Sequence, residues 1–296
     1  MLSAFKSILT NVKKNIYELL FIEQWQLRYR FVNNVSNVID TNFKSFHKII
    51  PPRDRFWADP FVVAKEDKLY FFIEELEYRD GKGYIAVIEF DQNSQKQVSH
   101  KIIEQSYHLS YPFIFECTGS YYMIPESTSN RTIELYRCED FPFKWSYQST
   151  LMHNVNAADT TIIYHNAKYW MFTLIESHES EKRNADLHIF YCDDILSDKW
   201  MAHAANPVLV DVGSARPAGN IFERDGVLYR PSQDCSKRYG WALVINKIVT
   251  LNEAEYVEEL IQHLPPNWER GLLATHTINT MEELTIIDVL VKRRRF

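Results

Sequence analysis

One pattern recurs along the 296-residue chain and limits its fold more than any other feature. ADPFVVAKEDKLYFFIEE (58–75) is matched by SYPFIFECTGSYYMIPES (110–127). In both, Pro-Phe leads into a short apolar run, a polar turn and an aromatic strand. A third copy is ADTTIIYHNAKYWMFTL (158–174), and a fourth is ARPAGNIFERDGVLYRPSQD (215–234), with two extra residues in its turn. THTINTMEELTIIDVL (275–290) is a fifth and weaker one. The residues that head the copies are Asp59, Tyr111, Asp159, Arg216 and His276, spaced 52, 48, 57 and 60 positions apart.

Repeats of about fifty residues, each built from short strands, are what propeller blades look like in sequence. Further strand-like runs lie between the marked hairpins: GYIAVIEFD (83–91), TIELYRCED (132–140), ADLHIFYCDD (185–194) and GWALVINKIVTL (240–251). Two strands from each hairpin and two more make a four-stranded blade. The expected fold is therefore all-β, a five-bladed β-propeller over residues 24–296. QWQLRYRFV (24–32) is expected to close the ring by pairing with the last blade. A β-sandwich is the rival, but its strands need not restart on a shared motif.

Residues 1–23 are expected to form a short amphipathic helix, because Leu2, Phe5, Ile8, Leu9, Val12, Ile16 and Leu19 recur at helical spacing. It either packs on its own domain or makes a peripheral contact with a membrane surface. Lysines interrupt it and no cleavage site follows, so it does not read as a secretory signal. The C-terminal KRRRF (292–296) reads as a solvated tail, with contact to acidic lipid as the alternative. A net charge of -6 argues against nucleic acid as a partner. Four dispersed cysteines with no CxxC pair suggest a reduced, cytoplasmic setting.

In a propeller the innermost strands all start on one rim of the central channel, and the antiparallel second strands return to it. Two rings of side chains should converge there. One is the set of heading residues. The other is Glu74, Glu75, Glu126, Gln233 and Asp234, with Asp288 at the matching place in the fifth copy. Each has a plainer explanation. Asp59 and Asp159 could cap turns, Arg216 could be a structural ion-pair partner, and Tyr111 and Trp57 could be core rings rather than sugar-stacking ones. His276, Asp234, Arg230 and Glu74 complete the candidate substrate-binding set. No cofactor or metal is expected. A channel cation near His276 is the alternative, and its ligand set would be thin.

At these residues the chain resembles the five-bladed propellers of family 43 glycoside hydrolases and their furanosidase relatives. More closely, WADPF, the Tyr-Pro-Phe-Ile blade with its PES ending, ADTTII, ARPAGNIF and RPSQD resemble the N-terminal domain of glucosamine inositolphosphorylceramide transferases, which has standalone bacterial relatives associated with surface-glycan synthesis. The hydrolase resemblance implies a base at Asp59 and a pKa-tuning aspartate at Asp159. It fails at the fourth blade. Where those enzymes carry a glutamic acid before Gly-Pro, this chain has Arg216 before Pro217, and a guanidinium donates no proton at neutral pH. Glu126 is the remaining candidate acid. Arginine suits charge neutralisation of a phosphate leaving group. The leading expectation is transfer of a sugar from a phosphate-activated donor to a glycan or lipid-linked acceptor. Hydrolysis with an altered acid, and glycan binding beside a separate transferase, are the alternatives.

Overall fold

The structure is a computed structural model that describes residues 20–31, 38–39, 42–94, 96–176, 185–281 and 284–295. Five antiparallel sheets follow one another around a common axis. The first blade holds strands Arg55–Lys65, Lys68–Glu77, Gly83–Phe90 and Ser99–Ile103, and the second Ser110–Cys117, Ser120–Ser127, Thr132–Asp140 and Lys144–His153. Ala157–His165, Lys168–Ile175 and Asp186–Cys192 carry the third, with two short outer strands beside them. In the fourth, Arg216–Pro217 and Phe222–Arg224 share the inner position before Val227–Asp234, Ala242–Leu251 and Tyr256–Leu264.

The fifth blade is made from both ends of the chain. Phe21–Phe31 pairs along its whole length with Leu284–Arg294, from Phe21 opposite Arg294 to Phe31 opposite Leu284. This closes the ring, as expected from residues 24–32, and begins three residues earlier. Phe21–Glu23, at the end of the expected helix, are therefore strand, while residues 1–19 lie outside the described residues. Lys292–Arg294 of the basic C-terminal run are also strand rather than a solvated tail. Lys292 pairs with Glu23, and the Arg293 guanidinium donates to Gln24 Oε1 at 2.8 Å and to the Pro51 carbonyl at 2.9 Å.

Blades are covered on both faces, which explains why inner strands read as near-continuous apolar runs such as YFFI and YIAVI. Phe61, Phe72 and Val87 meet Phe113, Ile124 and Leu135 in one interblade layer. Leu27, Tyr29 and Ile286 of the closing blade meet Trp57, Phe71 and Ile73 in another. All four cysteines are free thiols.

Candidate functional site

The first three blades share a distortion that produces the site. Register slips by one residue between Ala58 and Phe61, between Ser110 and Phe113, and between Ala158 and Thr161. Two residues of the inner strand thus face one of its partner, a β-bulge, and bulges re-aim side chains. The first residue of each bulge is left-handed: φ is 50° at Asp59, 42° at Tyr111 and 52° at Asp159. For residues with a Cβ this costs ~1–2 kcal/mol each, and it persists because the surroundings hold each side chain toward the axis. The Asp-Pro opening therefore builds a bulge that points an acid inward.

Asp59 is buried. Its Oδ1 accepts the Thr277 hydroxyl at 2.6 Å, and its Oδ2 accepts the Tyr111 N–H at 3.3 Å. Asp288 takes the Asp59 N–H at 3.1 Å, and its other oxygen takes the His276 and Thr277 N–H groups at 2.9 and 3.0 Å. The His276 ring lies between the two acids, with Nδ1 2.6 Å from Asp288 and Nε2 3.6 Å from Asp59. Across the pit, Arg216 Nε donates to Asp159 Oδ2 at 2.6 Å and its Nη2 to Glu126 at 3.3 Å. Gln233 adds a second donor to Asp159, at 2.7 Å.

Burial raises the carboxyl of Asp59 to about 7; His276 opposes the rise, and Glu74, Asp159 and Asp288 add to it. Asp159 is likewise raised to about 7, by burial first, with Arg216 opposing and Glu126 adding. Burial alone would lower the His276 pKa, but Asp288 and Asp59 outweigh it and push it up to about 9. All three shifts act on stability in one direction. A carboxyl raised in the fold binds protons that the unfolded chain has lost, so stability falls as pH rises from about 4 to about 7. The imidazolium's contribution is complete below about 6.5 and is lost as pH rises to about 9. Thermal melts should therefore show Tm falling by roughly 5 °C or more between pH 5 and pH 9. His276→Gln should flatten the alkaline half, and a profile that rises over this range would contradict the assignment.

Beneath the acids, Tyr111 is fully buried and spans the axis. Its hydroxyl accepts the Gly219 N–H at 2.7 Å and lies 2.8 Å from Thr161 Oγ1. Gly219, in the break between the inner segments Arg216–Pro217 and Phe222–Arg224, has φ 132°, and a Cβ there would sit 2.0 Å from the Ile278 carbonyl oxygen. Only glycine fits, so Tyr111 seals the floor of the pit and offers no open face. Trp57 is 2% exposed, its ring is in the interblade core, and its indole N–H donates to Glu75 at 2.8 Å. Neither ring chosen from sequence for sugar stacking has an accessible face. Arg230 is buried on Glu258 and the Ser214 carbonyl, tying strands of the fourth blade together away from the pit. Asp234 sits at the rim, bonded to the Ser236 N–H at 2.8 Å and 3.0 Å from His263 Nε2.

Glu74 lies beside the site and meets His108 Nε2 at 3.0 Å. His108 Nδ1 accepts the Gly83 N–H, so Nε2 carries the proton offered to Glu74. His108, Trp25 and Tyr239 were all missed in the sequence. Trp25 stacks on His276 with centroids 4.0 Å apart, and Tyr239 meets His276 edge-on at 5.5 Å. Trp25 sits in a strand that alternates polar and apolar residues, QWQLRYRF (24–31), and could have been flagged there; nothing periodic marks His108 or Tyr239. Asp59, His276 and Asp288 each place one ligand atom within 4.8 Å of the others. Both imidazole nitrogens already face carboxylates there, so a cation would have to displace the imidazolium proton.

Fold and site together define a five-bladed propeller with a polar, acid-lined axial pit. A family model for the N-terminal region of glucosamine inositolphosphorylceramide transferase 1 matches residues 17–273, and the chain belongs to that family. Curated relatives named glucosamine inositolphosphorylceramide transferase 1 are 34% identical in Arabidopsis thaliana and 32% in Oryza sativa subsp. japonica, each over 206 residues. The match covers 69% of this chain but 27% of theirs, so the chain corresponds to about a quarter of those proteins. Among solved structures, a family 117 glycoside hydrolase of Zobellia galactanivorans superposes with TM-score 0.55 at 10% identity, over 91% of this chain and 90% of its own. The α-L-arabinanase of Cellvibrio cellulosa, complexed with arabinohexaose, gives 0.54 at 13% identity, over 80% and 91%. These likenesses establish the fold.

Proposed function

We propose that the axial pit transfers a sugar from a phosphate-activated donor to a hydroxyl of a glycan or lipid-linked acceptor, within surface-glycan synthesis. The observation that carries the reading is a buried carboxyl raised to about 7, Asp59, on the same pit as the permanently charged Arg216. A base near neutrality is suited to accept a proton from an acceptor hydroxyl. That oxygen forms the new bond to the anomeric carbon, while the old carbon–oxygen bond breaks and its electron pair leaves with the phosphate. Arg216 and the His276 imidazolium supply positive charge where that charge develops. Hydrolysis with protonation of the leaving group is less well supported, since Glu126 is engaged by Arg216 and by the Asp159 N–H.

A non-catalytic reading has one observation in its favour: the match leaves 73% of each named transferase uncovered. The two separate in one assay. Nucleotide-sugar and sugar-1-phosphate donors are incubated with and without glycan acceptors. Donor consumption only when acceptor is present supports transfer, release of free sugar from aryl glycosides supports hydrolysis, and neither, with sugar still bound, supports a binding module.

A further inference from the structure

Tyr239 stands at the mouth of the pit on residues 235–241, which join strand Val227–Asp234 to Ala242–Leu251. The segment is anchored along its length. Cys235 donates its N–H to Val212 O at 2.9 Å, and Gly240 donates to Cys235 Sγ at 3.4 Å and accepts the Thr275 N–H at 3.2 Å. Gly240 has φ 60°, and a Cβ there would lie 2.6 Å from His276 Cβ. Arg238 reaches the closing strand, its guanidinium 2.8 Å from Glu23. A connection fixed this firmly holds Tyr239 in place.

The Tyr239 ring is 46% exposed, yet burial pushes its phenol well above its ordinary pKa, and Arg216, Asp159, Asp59 and Glu126 all act on it. The exposed ring stands beside two buried side chains of the site, Arg216 and His276. The Arg216 guanidinium carbon supports the ring at 5.0 Å from its centroid. Trp25 forms a second aromatic wall through its stack on His276.

We propose that Tyr239 is the platform on which the sugar ring is seated, its apolar C–H face against the aromatic ring and its hydroxyls directed to Asp59, Asp159 and Gln233 below. A flat aromatic surface gives contact area at little cost in conformational freedom, and a polar floor supplies orientation. Tyr239 is thus a specificity-determining residue. The assignment rests on the carbohydrate reading of the pit and does not depend on the chemistry being transfer.

The test is binding, measured by saturation-transfer NMR and calorimetry with methyl glycosides of galactose, glucose, N-acetylglucosamine, mannose and arabinose. Tyr239→Ala should weaken the sugars bound by the wild-type chain by roughly five- to ten-fold. Tyr239→Phe, which keeps the ring, should stay within about three-fold, and Tyr239→Leu serves if the alanine variant does not fold. Unchanged affinity in Tyr239→Ala or Tyr239→Leu would overturn the platform while leaving the proposed function standing. Equal loss in Tyr239→Phe would also overturn it, by moving the effect to the hydroxyl. No sugar bound by either the wild-type chain or Asp59→Asn would overturn both.

Discussion

Replacing Asp59 with asparagine is expected to lower turnover by roughly a thousand-fold, the contribution of a positioned general base, while sugar affinity changes little. Asparagine is the gentlest replacement available. It has the same shape, it tolerates the left-handed backbone at residue 59 better than other side chains, and its amide oxygen can still accept the Thr277 hydroxyl. Kinetics and calorimetry on the same preparation separate the two effects. Wild-type turnover in Asp59→Asn would remove the base and, with it, both enzymatic readings.

Arg216→Met should produce the largest loss of stability. The arginine is buried against Asp159 at 2.6 Å and Glu126 at 3.3 Å. Removing one partner of a buried ion pair leaves uncompensated charge and costs about 3–5 kcal/mol. For a domain of this size that is a fall in Tm of roughly 10 °C. The penalty should grow from pH 5 to pH 8, because the stranded carboxyls are tolerated only while protonated. Adding Asp159→Asn to the same chain should recover part of the loss, since a pair removed together leaves less charge unpaired. If Arg216→Met melts like the wild-type chain, the ion pair does not organise the site.

The blade count, the ring closure and the convergence of Asp59, Asp159, Arg216 and His276 were legible because a repeated strand start places equivalent residues on one rim. The repeat could not say which way each side chain is buried. Tyr111 occupies the same bulge position as the two aspartates, yet its longer side chain crosses the axis to Gly219 and becomes floor rather than ligand surface. Trp57, two residues before Asp59, would share its face in a regular strand; the bulge turns Asp59 to the axis and leaves Trp57 in the interblade layer. Arg230 lies three residues before Gln233, which reaches the pit, and so faces the opposite side of the strand; it shares a face with Asp234 but lies four residues from the rim. Tyr239 went unseen for the opposite reason: it belongs to the connection between the second and third strands of its blade, outside the repeated motif, and is held by Gly240 and by contacts distant in sequence. His108 likewise depends on the Gly83 N–H and Glu74, neither of which is near it in the chain.

A crystal soaked with a sugar-1-phosphate addresses the central idea most directly. The expected result is density on the axis, with the sugar against Tyr239 and within hydrogen-bonding distance of Asp59 or Asp159, and the phosphate toward Arg216 and His276. Density instead in the outlying groove of about 300 Å3 lined by His165, Gly226 and Lys247, with the axial pit empty, would contradict it.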